Sequence, residues 1–479
     1  MFKSFRPTTL NQIDNTLPTI GKDTVTVEKC IYYLSLVEQF SNLRQLFEDH
    51  LEAFHARAEM RYEYWVEACK KDIPNPNVAP PIDIAYIWHA HLVSPFRYYE
   101  DSIRLKFPLV SMPLEALHKQ YYAGPSVSSE TFWQKHTPDE PFILTKEDLS
   151  KEMVMKSPCN NCKSPFTISG LDLGRWRYNP DNYIKCCECQ VINNMHHKAL
   201  YHLINDTTKN NRMIRGTAIG PIGTARTAFV QNVFFLEAKY STEDEYQSKK
   251  KSNVLSHEFN ITPTQTDSMD EFENLHLYKL LDNQDYVKHY GHQKLEELIR
   301  VIRLTYSDTN PSPFSLDLLQ AVERQYKVST KMLNVKWLLP DSIVRGMRNY
   351  IQFLILMKEN NQLIAVPTLE IDVAWHTHMM HPKEYRQFTL KYIKRIINHD
   401  DTIPQVQLDK YSMDTRNAWN NSYSNNSSEN GSIHSDETDT STKKANKFTS
   451  FFNKSKKTRG TNFEIDYNPG TIKIEEKIY

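Results

Sequence analysis

The sequence predicts a mostly α-helical protein, built from two duplicated helical modules with a small cysteine-rich region inserted between them. The first observation is the motif Trp-His-x-His, which occurs at Trp88–His91 and again at Trp375–His378. The second is the helical spacing of apolar residues around both motifs. The third is a cluster of cysteines between the motifs, which is typical of a zinc-ribbon-like, β-containing module.

Each motif has the same surroundings. Upstream and downstream, the matching segments are Pro80-Pro81-Ile82-Asp83 with Pro367-Thr368-Leu369-Glu370, Ser94-Pro95 with His381-Pro382, and Tyr98 with Tyr385. Tryptophan and histidine are uncommon residues, so their recurrence in fixed register with an acid, a proline and a tyrosine indicates a duplicated helical module.

The first module spans residues 1–150. Its first helix is predicted from one apolar stripe, formed by Ile31, Leu34, Val37 and Phe40. A second helix carries Tyr62 and Trp65 and is broken by the prolines of 72–76. A short helix then holds the first motif, and Ser94-Pro95 caps and begins the next helix.

The second module spans residues 276–420, and a helix over about 342–356 presents Tyr350 and Phe353 at the same spacing as Tyr62 and Trp65. Three other regions differ from the modules. Residues 151–237 are a cysteine-rich and mixed region, 238–275 a polar linker or insertion, and 421–479 a Ser/Asn-rich tail. The tail is predicted to be disordered, because it has too little apolar surface to offset the entropy of folding.

Composition excludes some classes of function. The 58 basic and 58 acidic side chains balance, and no basic aromatic patch is present, so nucleic acid is not favoured as a partner. No apolar run approaches the roughly 18–20 residues that span a bilayer, and the N-terminus has no signal-peptide core. A cytoplasmic protein with protein partners is expected. Binding of a small-molecule ligand by the motif histidines, without chemistry, is a further interpretation that the sequence leaves open.

Four cysteines form two CxxC pairs, Cys159/Cys162 and Cys186/Cys189. Two such turns supply four thiolates about 2.3 Å from Zn²⁺ and leave no open position, so a structural zinc site is predicted. Cys187 is surplus, and His196 or His197 offers a substitute for one thiolate. The alternative is four reduced, buried cysteines without metal.

The motif histidines are His89, His91, His376 and His378. On a helix, positions i and i+2 lie about 200° apart, so the two histidines of one motif do not chelate one ion. Asp372 and His376 have the spacing i, i+4 that does allow it, whereas the first module has Ala85 at the corresponding position. Alternatively, one histidine of each module converges on a shared site.

Such a shared site is completed by a nearby carboxylate, and it would then resemble a two-histidine, one-carboxylate iron centre. The candidate acids are Glu370, Asp372 and Asp83, and His381, His399, Asp400 and Asp401 offer further polar groups. The interpretation that we favour is structural: the residues that fix helix packing are Trp88, Tyr98, Trp375 and Tyr385, with one histidine in each module bonded to a buried partner.

The chain resembles the glycine-rich domain-containing protein family of fungi and plants, a domain of unknown function. The resemblance is carried by PPIDIAYIWHAHLVSPFRYYED, AVPTLEIDVAWHTHMMHPKEYRQF, LLQAVERQYKVSTKM and NHDDTIPQVQLDKYSMDTRNAW, and by the segment Cys159–Cys189. The glycine-rich segment of the plant members and the Cys-rich ending of fungal members are absent. The resemblance implies a mostly helical fold with an inserted cysteine module. Plant members are linked to stress responses and development, and some fungal members carry an oxygenase label.

These observations favour a zinc-stabilised interaction or scaffold protein. The alternative is a metal-dependent enzyme, of a kind similar to the iron oxygenases, in which Asp372 and the motif histidines surround a cleft. Zinc is the expected structural metal, while iron or another second metal belongs to that alternative only.

Overall fold

The computed structural model describes residues 24–155, 158–208, 213–225, 264, 266–423, 465–468 and 471–474. The chain divides into two units, residues 1–418 and 419–479. The described part of the first unit is mostly helical with a few short strands, which confirms the predicted fold class. None of the described helices has both the length and the apolar composition of a bilayer-spanning segment.

The first motif lies in a group of six helices. They are α1 (Val27–Leu46), α2 (Leu51–Lys71), α3 (Ile82–Leu92), α4 (Pro95–Leu105), α5 (Leu114–Ala123) and α6 (Val127–His136), with 3₁₀ turns at Glu48–His50 and Glu147–Ser150. The Thr26 side chain caps α1 by accepting from the backbone N–H of Lys29. Pro95 is the first residue of α4. The backbone N–H at this position has no partner within a helix, so the missing N–H of proline costs no helical hydrogen bond.

Two small hairpins form the cysteine-rich region. Strand β1 (Glu152–Val154) pairs antiparallel with β2 (Thr167–Ser169), and β3 (Ile184–Lys185) pairs antiparallel with β4 (Ile192–Asn193). Helix α7 (Gly170–Tyr178) joins the hairpins, and α8 (Met195–Thr208) follows them. Helix α7 packs closely on α2, because a Cβ atom at Gly174 would lie 2.6 Å from Cα of Ala53.

The second motif lies in the remaining helices. They are α9 (Met269–Phe272), α10 (Lys279–Asp282), α11 (Gln284–Tyr290), α12 (His292–Thr305), α13 (Leu318–Leu333), α14 (Asp341–Glu359), α15 (Leu369–Met379), α16 (Pro382–Phe388) and α17 (Gln405–Tyr423), with π-helical turns at Glu273–Leu277 and Thr389–Ile393. Helix α15 carries the motif and packs on α14, where a Cβ atom at Gly346 would overlap the carbonyl oxygen of Glu370.

The boundary of the predicted linker, 238–275, needs correction at its end. Residues 266–275 are packed, because Met269 and Phe272 are buried in one apolar cluster with Leu277. Most residues of this segment are polar, so its composition did not indicate that these two side chains are buried. The packed structure therefore resumes at residue 266 rather than 276, while 238–263 lie outside the described residues.

Helix α1 is the element that the two motif helices share. It contacts both α3 and α15, and also α5, α13 and α14. Its buried face includes Cys30, Tyr33, Val37 and Phe40, whereas Ile31 and Leu34 are only half-buried. The buried face of α1 is therefore rotated slightly about the helix axis from the stripe that the sequence predicted. The corrected face turns the Tyr33 hydroxyl toward both motif helices.

The second unit begins at Trp419, in the last turn of α17. Its described part also contains β5 (Ile465–Asn468), which pairs antiparallel with β6 (Thr471–Ile474). The rest of the tail that the sequence predicts to be disordered, 424–464 in particular, lies outside the described residues. Disorder of that segment stays a prediction.

Candidate metal centres

The structure brings the four CxxC cysteines together. Their sulfur atoms all lie within 4.8 Å of one another, with Sγ of Cys159 3.6 Å from that of Cys189 and Sγ of Cys162 3.5 Å from that of Cys186. Zinc–sulfur bonds of about 2.3 Å at tetrahedral angles would separate the sulfurs by about 3.8 Å. The cluster can therefore hold a metal ion with little movement.

The two CxxC turns have the same backbone design. In each, the residue after the second cysteine, Lys163 or Gln190, has a positive φ and its N–H bonds the carbonyl of the first cysteine. The N–H of the first cysteine in turn bonds the carbonyl of Ser164 or Val191. Hydrogen bonds, the largest contribution being from the backbone N–H of Val191, lower the pKa of the Cys189 thiol to about 6, which favours the thiolate that binds metals.

The neighbouring candidate ligands lie outside this cluster. Cys187 is exposed and is not one of the four converging cysteines. His196 bonds Asp308 and Thr266, and His197 bonds the carbonyl of Ile192. These histidines fix the chain around residue 266 rather than replace a thiolate.

The second histidine of each motif bonds a tyrosine on the preceding helix. Nδ1 of His91 is 3.0 Å from the hydroxyl of Tyr62, and Nδ1 of His378 is 3.0 Å from the hydroxyl of Tyr350. In the first motif region, Nε2 of His91 also lies 3.1 Å from a carboxylate oxygen of Asp101, and both side chains are fully buried. His91 and His378 thus point away from the other two motif histidines, as the helical geometry predicts.

The first histidines of the two motifs meet at Tyr33. The Tyr33 hydroxyl lies 3.0 Å from Nε2 of His89 and 2.6 Å from Nδ1 of His376. The two imidazole centroids are 6.1 Å apart, and both rings are buried. Burial, with the charges of the neighbouring imidazoles, lowers the pKa of His89 well below its ordinary value, so its ring is neutral at pH 7.

A second potential metal-binding group extends from His376. Its Nε2 lies 3.3 Å from Oδ1 of Asp372 and 3.2 Å from Nε2 of His399. One ligand atom from each of these three residues lies within 4.8 Å of the others. Burial raises the pKa of Asp372, but the neighbouring His376 and His399 together lower it by more, so the side chain is a carboxylate at neutral pH.

The other acids considered for this group have different partners. Asp83 is held by Arg61 at 2.6 Å, deep in the interior, and Glu370 pairs with Arg345 near the surface. The Asp401 carboxylate accepts from Arg324 and Gln325, while that of Asp400 accepts from Thr402. Among the candidate carboxylates, Asp372 is therefore the one that joins the histidines.

The motif tryptophans and tyrosines form two equivalent corners. The indole N–H of Trp88 donates to the Tyr98 hydroxyl at 3.3 Å, and that of Trp375 donates to the Tyr385 hydroxyl at 3.0 Å. The residues around the first corner leave a volume of about 10 Å³, close to that of one water molecule. The corners are therefore packed interior.

A larger cavity, of about 360 Å³, lies elsewhere on the surface. It opens between α7 and α13, and it is lined by Arg177, Tyr178, Pro180, Met195, Thr309, Asp317, Leu319, Gln320, Glu323 and Arg324. None of the motif histidines lines this cavity.

Two residues of the histidine group were missed or undervalued from the sequence. Tyr33 shares a helical face with Cys30, Val37 and Phe40, and that spacing could have identified it. His399 was considered only as an additional polar group. It lies outside the motif, 23 residues after His376, so the motif spacing did not indicate their contact.

Comparison with known proteins gives partial matches. The sequence model of the family described as "Glycine-rich domain-containing protein-like" matches residues 12–101 and 250–388. Glycine-rich domain-containing proteins 1 and 2 of Arabidopsis thaliana are each 37% identical to the chain over 94 residues, which is 18% of this chain and 11% of the relative. The match thus spans about a ninth of the length of these relatives. No solved structure matches the chain.

Proposed function

The chain belongs to the glycine-rich domain-containing protein-like family, and we propose that it is a cytoplasmic, zinc-stabilised scaffold for protein partners. The observation that carries the proposal is the burial of the motif histidines. Each has a side-chain hydrogen-bond partner in the interior, and the large surface cavity lies elsewhere. Such residues stabilise a fold that presents surfaces to partners.

Zinc at the cysteine cluster is the first part of this proposal. Four thiolates leave no coordination position for a substrate, which is the property of a structural zinc site. Cys159 and Cys186 are also buried in an apolar cluster with Ala56 and Met60 of α2. A metal ion at the four sulfurs would therefore hold the inserted module on the first helical group, with a contribution of about 10 kcal/mol.

Protein recognition is the second part. The cavity between α7 and α13 combines apolar side chains, such as Met195 and Leu319, with the charged residues Arg177, Glu323 and Arg324. Aromatic, apolar and arginine side chains at an open surface are the composition of many protein interfaces. Cytoplasmic location is supported by the free cysteines, which a reducing compartment preserves.

The alternative function, a metal-dependent enzyme, is supported by the group of Asp372, His376 and His399. An oxygenase also needs space for a substrate beside its metal. His376 and Asp372 are buried, and the cavity of about 360 Å³ is not lined by them. For this reason we prefer the scaffold.

Elemental analysis tests the zinc proposal. The purified wild-type chain should contain zinc, and Cys162→Ser should lose about one zinc per chain and melt at lower temperature. The matched control is Cys187→Ser, because this exposed thiol lies outside the cluster and its loss should change neither quantity. Zinc retained in Cys162→Ser would overturn the assignment.

Reciprocal affinity capture tests the scaffold proposal. A partner recovered with the tagged wild-type chain should itself capture the chain when the tag is moved to it. Gln320→Arg, an exposed change within the cavity, should reduce capture, while Val406→Arg, which is exposed and outside it, should not. Failure of every candidate partner to capture the chain would contradict the proposal.

A further inference from the structure

We infer that Asp372, His376 and His399 form a second metal site, which takes a divalent transition-metal ion. The group lies on α15 and on the segment that follows the π-helical turn 389–393. An ion would therefore connect the second motif helix to this segment. The inference does not depend on the cysteine cluster, which shares no residue with the group.

Two of the three distances between the donor atoms fit one ion directly, and the third is no more than 4.8 Å. Ligands about 2.1 Å from a metal lie about 3.0 Å apart at right angles and about 3.4 Å apart at tetrahedral angles. Nε2 of His376 is 3.3 Å from Oδ1 of Asp372 and 3.2 Å from Nε2 of His399. Both separations fall between the two limits.

Buried polar atoms at this site also lack hydrogen bonds. Oδ1 of Asp372 and Nδ1 of His399 are both buried, and neither has a hydrogen-bond partner of normal geometry among the described residues. A buried carboxylate oxygen without a donor costs free energy on the order of 1–3 kcal/mol or more. A cation bound to Oδ1 would remove this cost for Asp372.

Tyr33 is suited to orient His376 as a ligand. A neutral histidine that binds a metal through Nε2 carries its proton on Nδ1. His376 Nδ1–H can then donate to the Tyr33 hydroxyl at 2.6 Å, and Tyr33 can donate in turn to Nε2 of His89 at 3.0 Å. This chain of hydrogen bonds leaves the lone pair of His376 Nε2 facing Asp372 and His399. Tyr33 is thus a positioning residue for the site.

The first motif region shows that the fold does not require the carboxylate of Asp372. In the corresponding register it has Ala85, which is also buried. The common position is His89, which corresponds to His376. A costly buried acid thus occurs in the region where two histidines can share an ion with it.

The donor set selects the class of ion. Two imidazole nitrogens and one carboxylate oxygen suit Zn²⁺, Fe²⁺ or Co²⁺ rather than Mg²⁺ or Ca²⁺. His399 is partly exposed, whereas Asp372 and His376 are buried. An ion would therefore reach the site from the His399 side, and a remaining coordination position on that side would take water.

Cobalt binding to the full-length chain tests the inference. Metal-free wild type titrated with Co²⁺ should bind two equivalents, one with intense thiolate-to-cobalt absorption and one with weak visible bands only. His399→Gln should lose the second equivalent and keep the thiolate absorption, while Cys162→Ser should do the reverse. Tyr33→Phe should weaken the second site by about 10- to 100-fold.

The matched control is His378→Gln, on the same helix and equally buried but bonded to Tyr350 instead of the group. It should bind both equivalents. Asp372→Ala provides a second variant for the site, since Ala85 shows that alanine is accommodated at this register. One cobalt equivalent in wild type, or two in both His399→Gln and Asp372→Ala, would overturn the inference even if the cysteine site proves correct.

Discussion

The two motif regions share the same packing contacts, but the buried acid lies beside the second motif histidine in one region and beside the first motif histidine in the other. In the first, Asp101 bonds His91, the second histidine of the motif. In the second, Phe388 occupies the register of Asp101, and the acid is Asp372, beside the first histidine. The indole–tyrosine corner and the histidine–tyrosine bond are the same in both regions.

This difference separates two roles within one motif. The contacts that both regions keep, those of the tryptophans, the corner tyrosines and the tyrosines on α2 and α14, support a packing role. The buried acids, which differ between the regions, have different sets of partners. Asp101 pairs with Arg104 on its own helix and accepts from Ser315, far along the chain. Asp372 contacts only the histidine group among the partners described for it.

The largest effect is expected for Asp101→Ala. The substitution leaves Arg104 and His91 buried without the carboxylate that they share, so the free energy of unfolding should fall by about 3–5 kcal/mol. Asp372→Ala in metal-free protein should cost much less, because Ala85 is tolerated in the same register. Chemical denaturation of both variants measures the difference. Equal losses would show that the two acids have one structural role.

The Asp101 carboxylate also determines how the stability of the fold should change at acid pH. Burial raises the pKa of Asp101, but Arg104 and the hydrogen bond from His91 lower it by more, so the folded pKa is below the ordinary value. A lowered carboxyl pKa stabilises the fold above the unfolded pKa of about 3.9, and this stabilisation is lost as pH falls through the folded value. The difference between wild type and Asp101→Ala should therefore persist down to about pH 4.

Tyr33→Phe should have the next largest effect, since Tyr33 is bonded to both motif helices. Loss of the hydroxyl leaves Nε2 of His89 and Nδ1 of His376 without this partner. The free energy of unfolding should therefore fall by about 2–3 kcal/mol in total. Tyr350→Phe removes a single such bond and should cost about half as much. Thermal and denaturant unfolding compare the two variants. Equal costs would indicate that Tyr33 connects to one region alone.

The sequence predicted local features more reliably than distant ones. The cysteine cluster was predictable because each CxxC turn fixes two donors by local backbone geometry. The motif helices were predictable from spacing and from Pro95 and Pro382 at helix starts. Tyr33 was missed because its role depends on His376, 343 residues away, while more apolar neighbours defined a competing stripe.

His399 shows the same limit in another form. It lies outside the motif, and tertiary packing brings its ring to His376, 23 residues earlier in the chain. The packed segment 266–275 was also missed, because its two buried apolar residues are diluted by polar ones. Long-range partners, unlike turns and helix caps, are set by the tertiary packing and leave little local signal.

A further prediction concerns the dependence of stability on pH, and it rests on another difference between the regions. Burial, with the charge of Arg44, lowers the pKa of His55 to about 3, while the second region has the buried Ile343 in the same register. Below pH 6.5 the unfolded chain binds a proton at His55 that the folded chain does not. Stability is therefore lost as pH falls from about 6.5 toward 3, by about 2 kcal/mol between pH 7.5 and 5.

His55→Ile should remove this contribution. Denaturant unfolding at pH 7.5 and pH 5 measures the loss in each protein, and the other titrating groups contribute equally to both. The Tyr178 hydroxyl loses its bond to His55 in the variant, which lowers stability at both pH values alike. An identical drop in the two proteins would show that His55 is protonated in the folded chain.

The smallest effect should distinguish the two corners. Tyr385 accepts from Trp375 at 3.0 Å and donates to the carbonyl of Ile397 at 2.7 Å, so Tyr385→Phe should cost about 1–2 kcal/mol. Tyr98→Phe breaks a longer bond, 3.3 Å from the indole of Trp88, and a bond from the backbone N–H of Val110, and should cost about 1 kcal/mol. The order matters more than the values, because the backbone carbonyl is left buried in one case. If Tyr98→Phe lowered the free energy of unfolding by more than Tyr385→Phe, the first corner would contribute more to stability than the second. Corners with the same hydrogen-bonded residues would then differ in energy.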